Sequence, residues 1–319
     1  MVIFKTWVSV ISMFSIMAFA GEKVDQTLDA AADSIVQIEH TAGSAEIIGW
    51  DKEMVSVSGE LGDDTEEFIF KRNGKSIEIK IEVKQKKSWG AWNSSDVDGD
   101  KLVIYVPKGS RVEYNTTNAD LRIDNILGSS DIEIVNGDIQ ASNLAGRIQL
   151  ESVNGEINAK GIQGDVYAQA VNGDIKIEHV SGKLIQVGSV NGDIRVTTKA
   201  EDIAVETVNG DIEFEMAQVA SVDAQTVNGD IDLSMALRSG AVVKANSVGG
   251  KITLSLPVDT AAKFDLEAHA GGSIRNTLSD DKAQEAKYGP REWLEFTTGE
   301  PNATVDVTTV HGRIVIAKK

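Results

Sequence analysis

The chain contains no cysteine, four prolines and four histidines among its 319 residues, and each shortage removes a class of explanation. Without cysteine there is no disulfide framework, no thiolate ligand and no lipobox for a lipid anchor, so stability has to come from packing. His40, His179, His269 and His311 lie far apart, none with a second His or Cys at metal-ligand spacing, which argues against zinc. So few prolines, with 41% apolar residues, exclude a disordered or collagen-like chain. Basic residues are also in the minority, 31 against 49 acidic, for a net charge of −18. Nucleic-acid binding needs a basic footprint, which this balance denies; the same charge favours solubility and draws cations to the surface. Neither a phosphate-binding glycine loop nor a Gly-x-Ser-x-Gly elbow is present. Serine, histidine and aspartate all occur, but nothing in the sequence brings them together.

Long apolar runs are missing too, with one exception at the start. Lys5 precedes an uncharged, mostly apolar stretch, Thr6–Met17, and Ala18-Phe19-Ala20 forms a small-x-small cleavage pattern. Residues 1–20 therefore read as a secretory signal peptide cleaved after Ala20; the run is shorter than the roughly 20 residues of a spanning helix. Loss of Lys5 takes the net charge from −18 to −19. No later run reaches spanning length, so the mature chain is expected to be exported, soluble and not membrane-spanning, in the periplasm, on the surface or secreted.

Residues 21–34 are polar and Ala/Asp-rich and read as a loose leader. From Ile35 to residue 113, short alternating runs such as Ile77–Ile81 and Leu102–Val106, separated by turn signals, predict a β-rich N-terminal region of antiparallel strands. Lys84–Asp100 interrupts it with three lysines, Trp89, Trp92 and a run of aspartates. Asp96-Val97-Asp98-Gly99-Asp100 superficially suggests a calcium loop, but its glycine falls too early for an EF-hand and the twelfth position is Pro107. An acidic hairpin loop is the plainer reading, and the tryptophans suit either a contact site or a covered strand edge.

What the chain has in abundance is one phrase. Val-Asn-Gly-Asp-Ile stands at Val135–Ile139, Val171–Ile175, Val190–Ile194, Val208–Ile212 and Val227–Ile231, with Glu156 for Asp in Val153–Ile157. From Asn136 through Asn154, Asn172, Asn191 and Asn209 to Asn228, the asparagine numbers step by 18, 18, 19, 18 and 19. A fixed period of about 20 residues means a repeat architecture. Gly146, Gly164 and Gly182 mark weaker half-copies, so each repeat is expected to be two short strands joined by tight corners. Asn-Gly corners also occur in hairpins, but identical corners at a constant period are what a parallel coil stacks on itself. The fold expected over residues 114–260 is therefore all-β: a single-stranded parallel β-helix, or solenoid, with about 18–19 residues per rung. Eight rungs from Asn118 to Gly249, roughly 4.8 Å apart, make a rod roughly 40 Å long. Residues 261–319 are expected to form a C-terminal β cap, with a helical or loop insertion near Asp280–Arg291 and a closing motif copy, Val310-His311-Gly312-Arg313-Ile314.

Period-2 alternation puts Val, Gly and Ile of the phrase inward and Asp outward. Gly137, Gly155, Gly173, Gly192, Gly210 and Gly229 are expected to turn the chain with positive φ, helped by the asparagines. Asp138, Glu156, Asp174, Asp193, Asp211 and Asp230 then form one outer column. Like charges about 4.8 Å apart repel by roughly 0.9 kcal/mol even in water, so something must offset them. Backbone N–H groups at each corner would serve; a column of divalent cations, Ca²⁺ the natural candidate, is the functional alternative. Two positions further on, Gln140, Asn158, Lys176, Arg195, Glu213 and Asp232 mix their charges and offer no uniform stripe.

Together the export signal, Ile48-Gly49-Trp50-Asp51, the tandem Val-Asn-Gly-Asp-Ile rungs and the closing Val310–Ile314 resemble the bacterial putative-adhesin, or β-strand-repeat, family of unknown function. The resemblance implies an extracytoplasmic β-helical protein with no catalytic residues to carry over. Two classes of function stay open: a non-enzymatic adhesin-like or scaffold protein of the envelope, contacting protein or glycan, and a polysaccharide-active lyase or hydrolase of the β-helix type. Self-association end to end or edge to edge is a third. The rungs carry almost no long loops with which to build a catalytic groove, which favours the first.

Overall fold

The computed structural model describes residues 13–17, 21–83 and 99–319. Among the described residues every regular element is a β-strand. The repeat interval is the step from one strand to the parallel strand beside it. Ile139 lies between Leu121 and Ile157, Ile175 between Ile157 and Ile194, and the column continues through Ile212, Ile231 and Ile252 to Ile314. The strands before each corner stack in the same way, Asn172 between Asn154 and Asn191. Each rung thus has a short strand after the corner and a longer one before it, as the half-copies predict. Alternate side chains of both point inward, and the column of isoleucines just after the corner, Ile139, Ile157, Ile175, Ile194, Ile212, Ile231 and Ile252, is at most 1% exposed. A fully buried Ile contributes about 1.5–3 kcal/mol, so one slipped residue in a single rung would forfeit a whole set of such contacts.

The glycines set the spacing of this β-solenoid-like pile. From Gly137 to Gly229 the corner glycines have φ between +137° and +157°, a region strained for other residues. Space excludes a side chain as well. A Cβ on Gly155, Gly173, Gly192, Gly210 or Gly229 would lie 2.0–2.2 Å from the carbonyl oxygen of the glycine one rung earlier. Gly146, Gly164 and Gly182 repeat the arrangement at the second corner, 1.9–2.1 Å from the carbonyl below.

Both ends depart from simple stacking in the same way. Ile35–Trp50, expected to belong to a separate β region, is itself a rung: it pairs in parallel with Arg111–Asp124, and on its other side with Ser76–Val83 and Asp100–Pro107. The excursion between residues 51 and 110 passes beyond this rung and adds antiparallel strands, Met54–Glu60 and Thr65–Asn73, at the outside. The parallel repeat therefore begins at Ile35 rather than near residue 114. At the other end Thr304–Thr309 and Arg313–Lys318 insert between the rung of residues 242–256 and the strands Ala262–Ala268 and Ser273–Asn276. Antiparallel Glu292–Thr298 closes that side. Stacked rings pin the excursions: Trp50 on Tyr105 at 4.9 Å and Phe264 on Phe296 at 4.4 Å. An open end of parallel rungs would expose a full row of unpaired N–H and C=O groups, and antiparallel strands cover both.

Three further expectations need correction. Residues 21–34 are no loose leader, because Lys23–Asp29 pairs antiparallel with Met54–Glu60 and buries Val24 and Leu28. Of the two forms expected for the insertion at 280–291 it takes the loop, with one two-residue strand, Gln284–Glu285, paired with Glu292 and Trp293. The valines of the phrase point outward, with Val135, Val153, Val171, Val190, Val208 and Val227 all 36–41% exposed. Beside the corner the inward position goes to the residue before the valine, Ile134, Ser152, Ala170, Ser189, Thr207 or Thr226, all buried, so Val and Asn point outward in succession and period 2 breaks. The asparagines of the phrase, finally, are not among the residues with positive φ. The export segment lies mostly outside the described residues; of it, Met13–Met17 pairs antiparallel with Thr65–Asn73. Trp89, Trp92 and the aspartates to Asp98 also lie outside them.

Two glycines separate the roles of the corner. Gly192→Ala should lower the stability measured by urea denaturation by about 3 kcal/mol or more. Gly188→Ala, in the strand just before it, has no atom nearer than 3.7 Å to the new Cβ and should leave stability within about 1 kcal/mol of the parent.

Candidate functional site

Each repeat places the same side chains at the same height on the outside of the corner, so single residues become ladders. Asn136 Nδ2 donates to Asn118 Oδ1 at 2.8 Å, and Asn154, Asn172, Asn191, Asn209 and Asn228 each donate to the asparagine one rung earlier at 2.9–3.0 Å. One unbroken chain of side-chain amides results, and it explains why asparagine recurs without bending the backbone.

The aspartates form a second ladder. Oδ1 of Asp120, Asp138, Asp174, Asp193, Asp211 and Asp230 accepts the backbone N–H of the equivalent residue on the next rung, from Asp138 to Lys251, at 2.7–3.0 Å. A charged acceptor on a backbone N–H contributes more than a neutral one, which offsets the repulsion along the column. Among the described residues no group of three or more His, Cys, Asp or Glu is placed to hold a metal ion. The row two positions on is mixed, with Arg195 Nε paired to Glu213 at 2.6 Å and Lys251 between Asp230 and Asp232 at 3.8 and 3.7 Å.

Buried titratable groups are few and internally paired. His40 Nδ1 lies 2.9 Å from the Tyr114 hydroxyl and Nε2 lies 3.2 Å from Asp100 Oδ2. Asp100 Oδ1 accepts from the Gly62 N–H at 2.8 Å and the Thr65 hydroxyl at 2.7 Å. Burial alone would raise the Asp100 carboxyl, but His40, Gly62 and Thr65 hold it below the ordinary range. Burial pushes the Tyr114 hydroxyl up. The Asp100 end of the acidic loop is thus a structural pin, 1% exposed, that ties the N-terminal excursion to the first rung. His179 replaces an apolar residue at the second corner: Nε2 donates to Gly164 O at 2.9 Å and Nδ1 accepts from Thr198 at 2.8 Å. Burial lowers its pKa, keeping it neutral. Neither histidine stands beside a nucleophile exposed to solvent.

The feature absent from the sequence reading is a groove. The outward valines line one side of it, and the outward residues two positions earlier, Glu133, Glu151, Gln169, Gly188 and Glu206, line the other. It runs along the rod for eight strands, from Lys80 and Glu39 to Val208, with a volume of ≈ 800 Å³. A second depression of ≈ 600 Å³ around Tyr167 and Gln186 adjoins it through Glu151. The signal was present in the residue before the later valines, small or hydroxylic from Ser152 to Thr226 although Ile134 precedes Val135, which the assumption of unbroken alternation passes over.

The chain belongs to the Toastrack DUF4097 family, whose model matches residues 36–317. Two crystal structures are similar in fold. One is a putative cell adhesion protein from Clostridium sporogenes, 12% identical over 93% of this chain and 100% of that one, with a TM-score of 0.22. The other is a putative adhesin from Bacteroides fragilis, 13% identical over 92% and 97%, with a TM-score of 0.37. Both likenesses are too loose to bear on function. No curated protein matches the chain. Among the described residues no helix is long and apolar enough to cross a membrane.

The aspartate ladder yields a direct test. Asp193→Ala strips the Asp211 N–H of its acceptor and should cost about 1 kcal/mol, whereas Asp193→Asn keeps an oxygen there and should retain most of that stability. Melting of the parent should not differ between millimolar calcium and chelator; a rise in calcium that Asp193→Asn abolishes would assign the column to metal.

Proposed function

We propose that this protein is a non-catalytic, extracytoplasmic, adhesin-like or scaffold protein of the bacterial envelope, built as a single-stranded parallel β-helix. It presents its broad faces to a protein or glycan of the envelope. The observation that carries this reading is the outer face of residues 129–231, where rows of Asn, of Asp with Glu156, and of Val repeat without a loop that would enclose a substrate. A catalytic site needs a nucleophile or an acid–base pair within reach of bound substrate. The buried His40–Asp100 and His179 clusters face inward, and the aspartates of the corner column are bonded to the backbone of the next rung. The start of the chain supports export, because Lys5, the apolar Thr6–Met17 and Ala18-Phe19-Ala20 occur in signal-peptide order.

Two measurements test the reading together. Mass spectrometry of protein recovered from an envelope fraction should find a mature chain starting at Gly21; recovery from cytoplasm with residues 1–20 intact would contradict export. Purified protein should leave acidic polysaccharides unchanged, and appearance of reducing ends or unsaturated products would replace the adhesin-like reading with the enzymatic one.

A further inference from the structure

We infer that the groove beside the valine row is a docking site for an extended, lysine-rich segment of a protein partner. The inference rests on the envelope-contact reading and gives that reading a place and a chemistry.

Charge supplies the first argument. Five carboxylates line the groove, Glu39, Glu82, Glu133, Glu151 and Glu206, against the single ammonium of Lys80. Lys80 is already taken: its Nζ lies 2.7 Å from Glu82 and 3.3 Å from Glu39, and these partners raise its pKa. Glu133 and Glu206 have no ion pair among the described residues, and Glu151 only accepts a hydrogen bond from Gln149 at 2.9 Å. Carboxylates held in a row on a rigid sheet, beside low-dielectric apolar surface, focus a negative potential that selects a cationic occupant.

Shape narrows the occupant. In three rungs the valine follows a glutamate by two residues, Glu133 and Val135, Glu151 and Val153, Glu206 and Val208, about 6.6 Å along the strand. A lysine lying across that interval can cover valine methyls with its methylene stem while its ammonium reaches the carboxylate. The apolar lining is otherwise only methyl and methylene surface: no Trp, Tyr or Phe lines this groove, so flat ring faces find no aromatic platform. Gln169 and Gly188 carry no charge, so the carboxylates stand on both sides of them, and the Gln169 side chain already lies 3.7 Å from where a Cβ on Gly188 would stand. The occupant is therefore a chain with several cationic stems, which describes an extended basic polypeptide.

Fluorescence anisotropy with a labelled twelve-residue peptide of alternating lysine and threonine, on the full mature chain, tests this. Binding should saturate at one site and weaken at least 10-fold between 0.05 and 0.5 M salt, about a 1.4 kcal/mol loss. Glu133→Gln/Glu151→Gln/Glu206→Gln and, separately, Val153→Ser/Val171→Ser/Val190→Ser should each weaken it at least 10-fold. Glu213→Gln/Asp232→Asn removes the same kind of charge from another face and should change nothing. Equal weakening by that control, or indifference to the valine changes, would overturn the proposal in favour of unspecific attraction to an acidic protein. Tighter binding of a glucosamine oligomer of equal charge would overturn it in favour of a cationic glycan. Failure of the peptide to bind an exported, non-catalytic protein sinks the groove assignment alone; a cytoplasmic protein that binds the peptide sinks the envelope reading alone.

Discussion

At each corner a glycine α-carbon sits against the carbonyl of the glycine one rung earlier, with no room for a methyl group between them. Because a Cβ at Gly192 would lie 2.1 Å from Gly173 O, the positive-φ corners from Gly137 to Gly229 superimpose as closely as they do because glycine recurs at the same height. Once they superimpose, every neighbouring residue finds its own copy above and below. The Ile139-to-Ile252 column packs the interior, the asparagine amides chain together, and each aspartate accepts the next rung's N–H. These interactions are individually small, on the order of 1 kcal/mol for each hydrogen bond. They act together because the backbone contact leaves no alternative register.

The two ends solve a problem that the corners create. A regular pile has no intrinsic stop, and its last rung is a template for another chain. Here the first and last segments to show the motif, Ile35–Trp50 and Thr304–Lys318, are each overlaid by an excursion of the same chain that supplies antiparallel strands. Each terminal rung is held on both sides, so fraying it requires the excursion to detach first. The His40–Asp100–Tyr114 cluster and the stacked Phe264–Phe296 pair sit where those excursions return to the rod.

Much of this is readable in the amino acids because the repeat converts one local rule into many. The constant step between asparagines, the inward isoleucines, the outward aspartates, the glycine corners and the half-copies all follow from spacing and period 2. Alternation carried through a corner misplaces the valines, because two successive residues face outward there. Asparagine beside glycine ordinarily signals a bend in the backbone, whereas here its role depends on a neighbour one full repeat away that no local pattern reveals. The rung at Ile35–Trp50 is hard to see because His40-Thr41-Ala42-Gly43-Ser44-Ala45 keeps only the glycine of the phrase, and because its partner strand comes only after the long N-terminal excursion. Strand Lys23–Asp29 hides in a polar stretch where only Val24 and Leu28 are buried. The groove is invisible for the same reason as the outward valines that form it.

The account as a whole depends on residue-matched parallel stacking one repeat apart, and the absence of cysteine from the chain makes that directly measurable. Glu178 and Thr197 are partners on adjacent rungs and both are exposed, so a Glu178→Cys/Thr197→Cys variant places two thiols on neighbouring strands about 4.8 Å apart, within disulfide range. Shifting the second thiol to Lys199 moves it two positions out of register, to roughly 8 Å. Mild oxidation should close the 178–197 bond within one molecule nearly completely and leave the 178–199 pair reduced. Equal yields for both, or a preference for the shifted pair, would contradict the stacking on which every ladder and the groove depend.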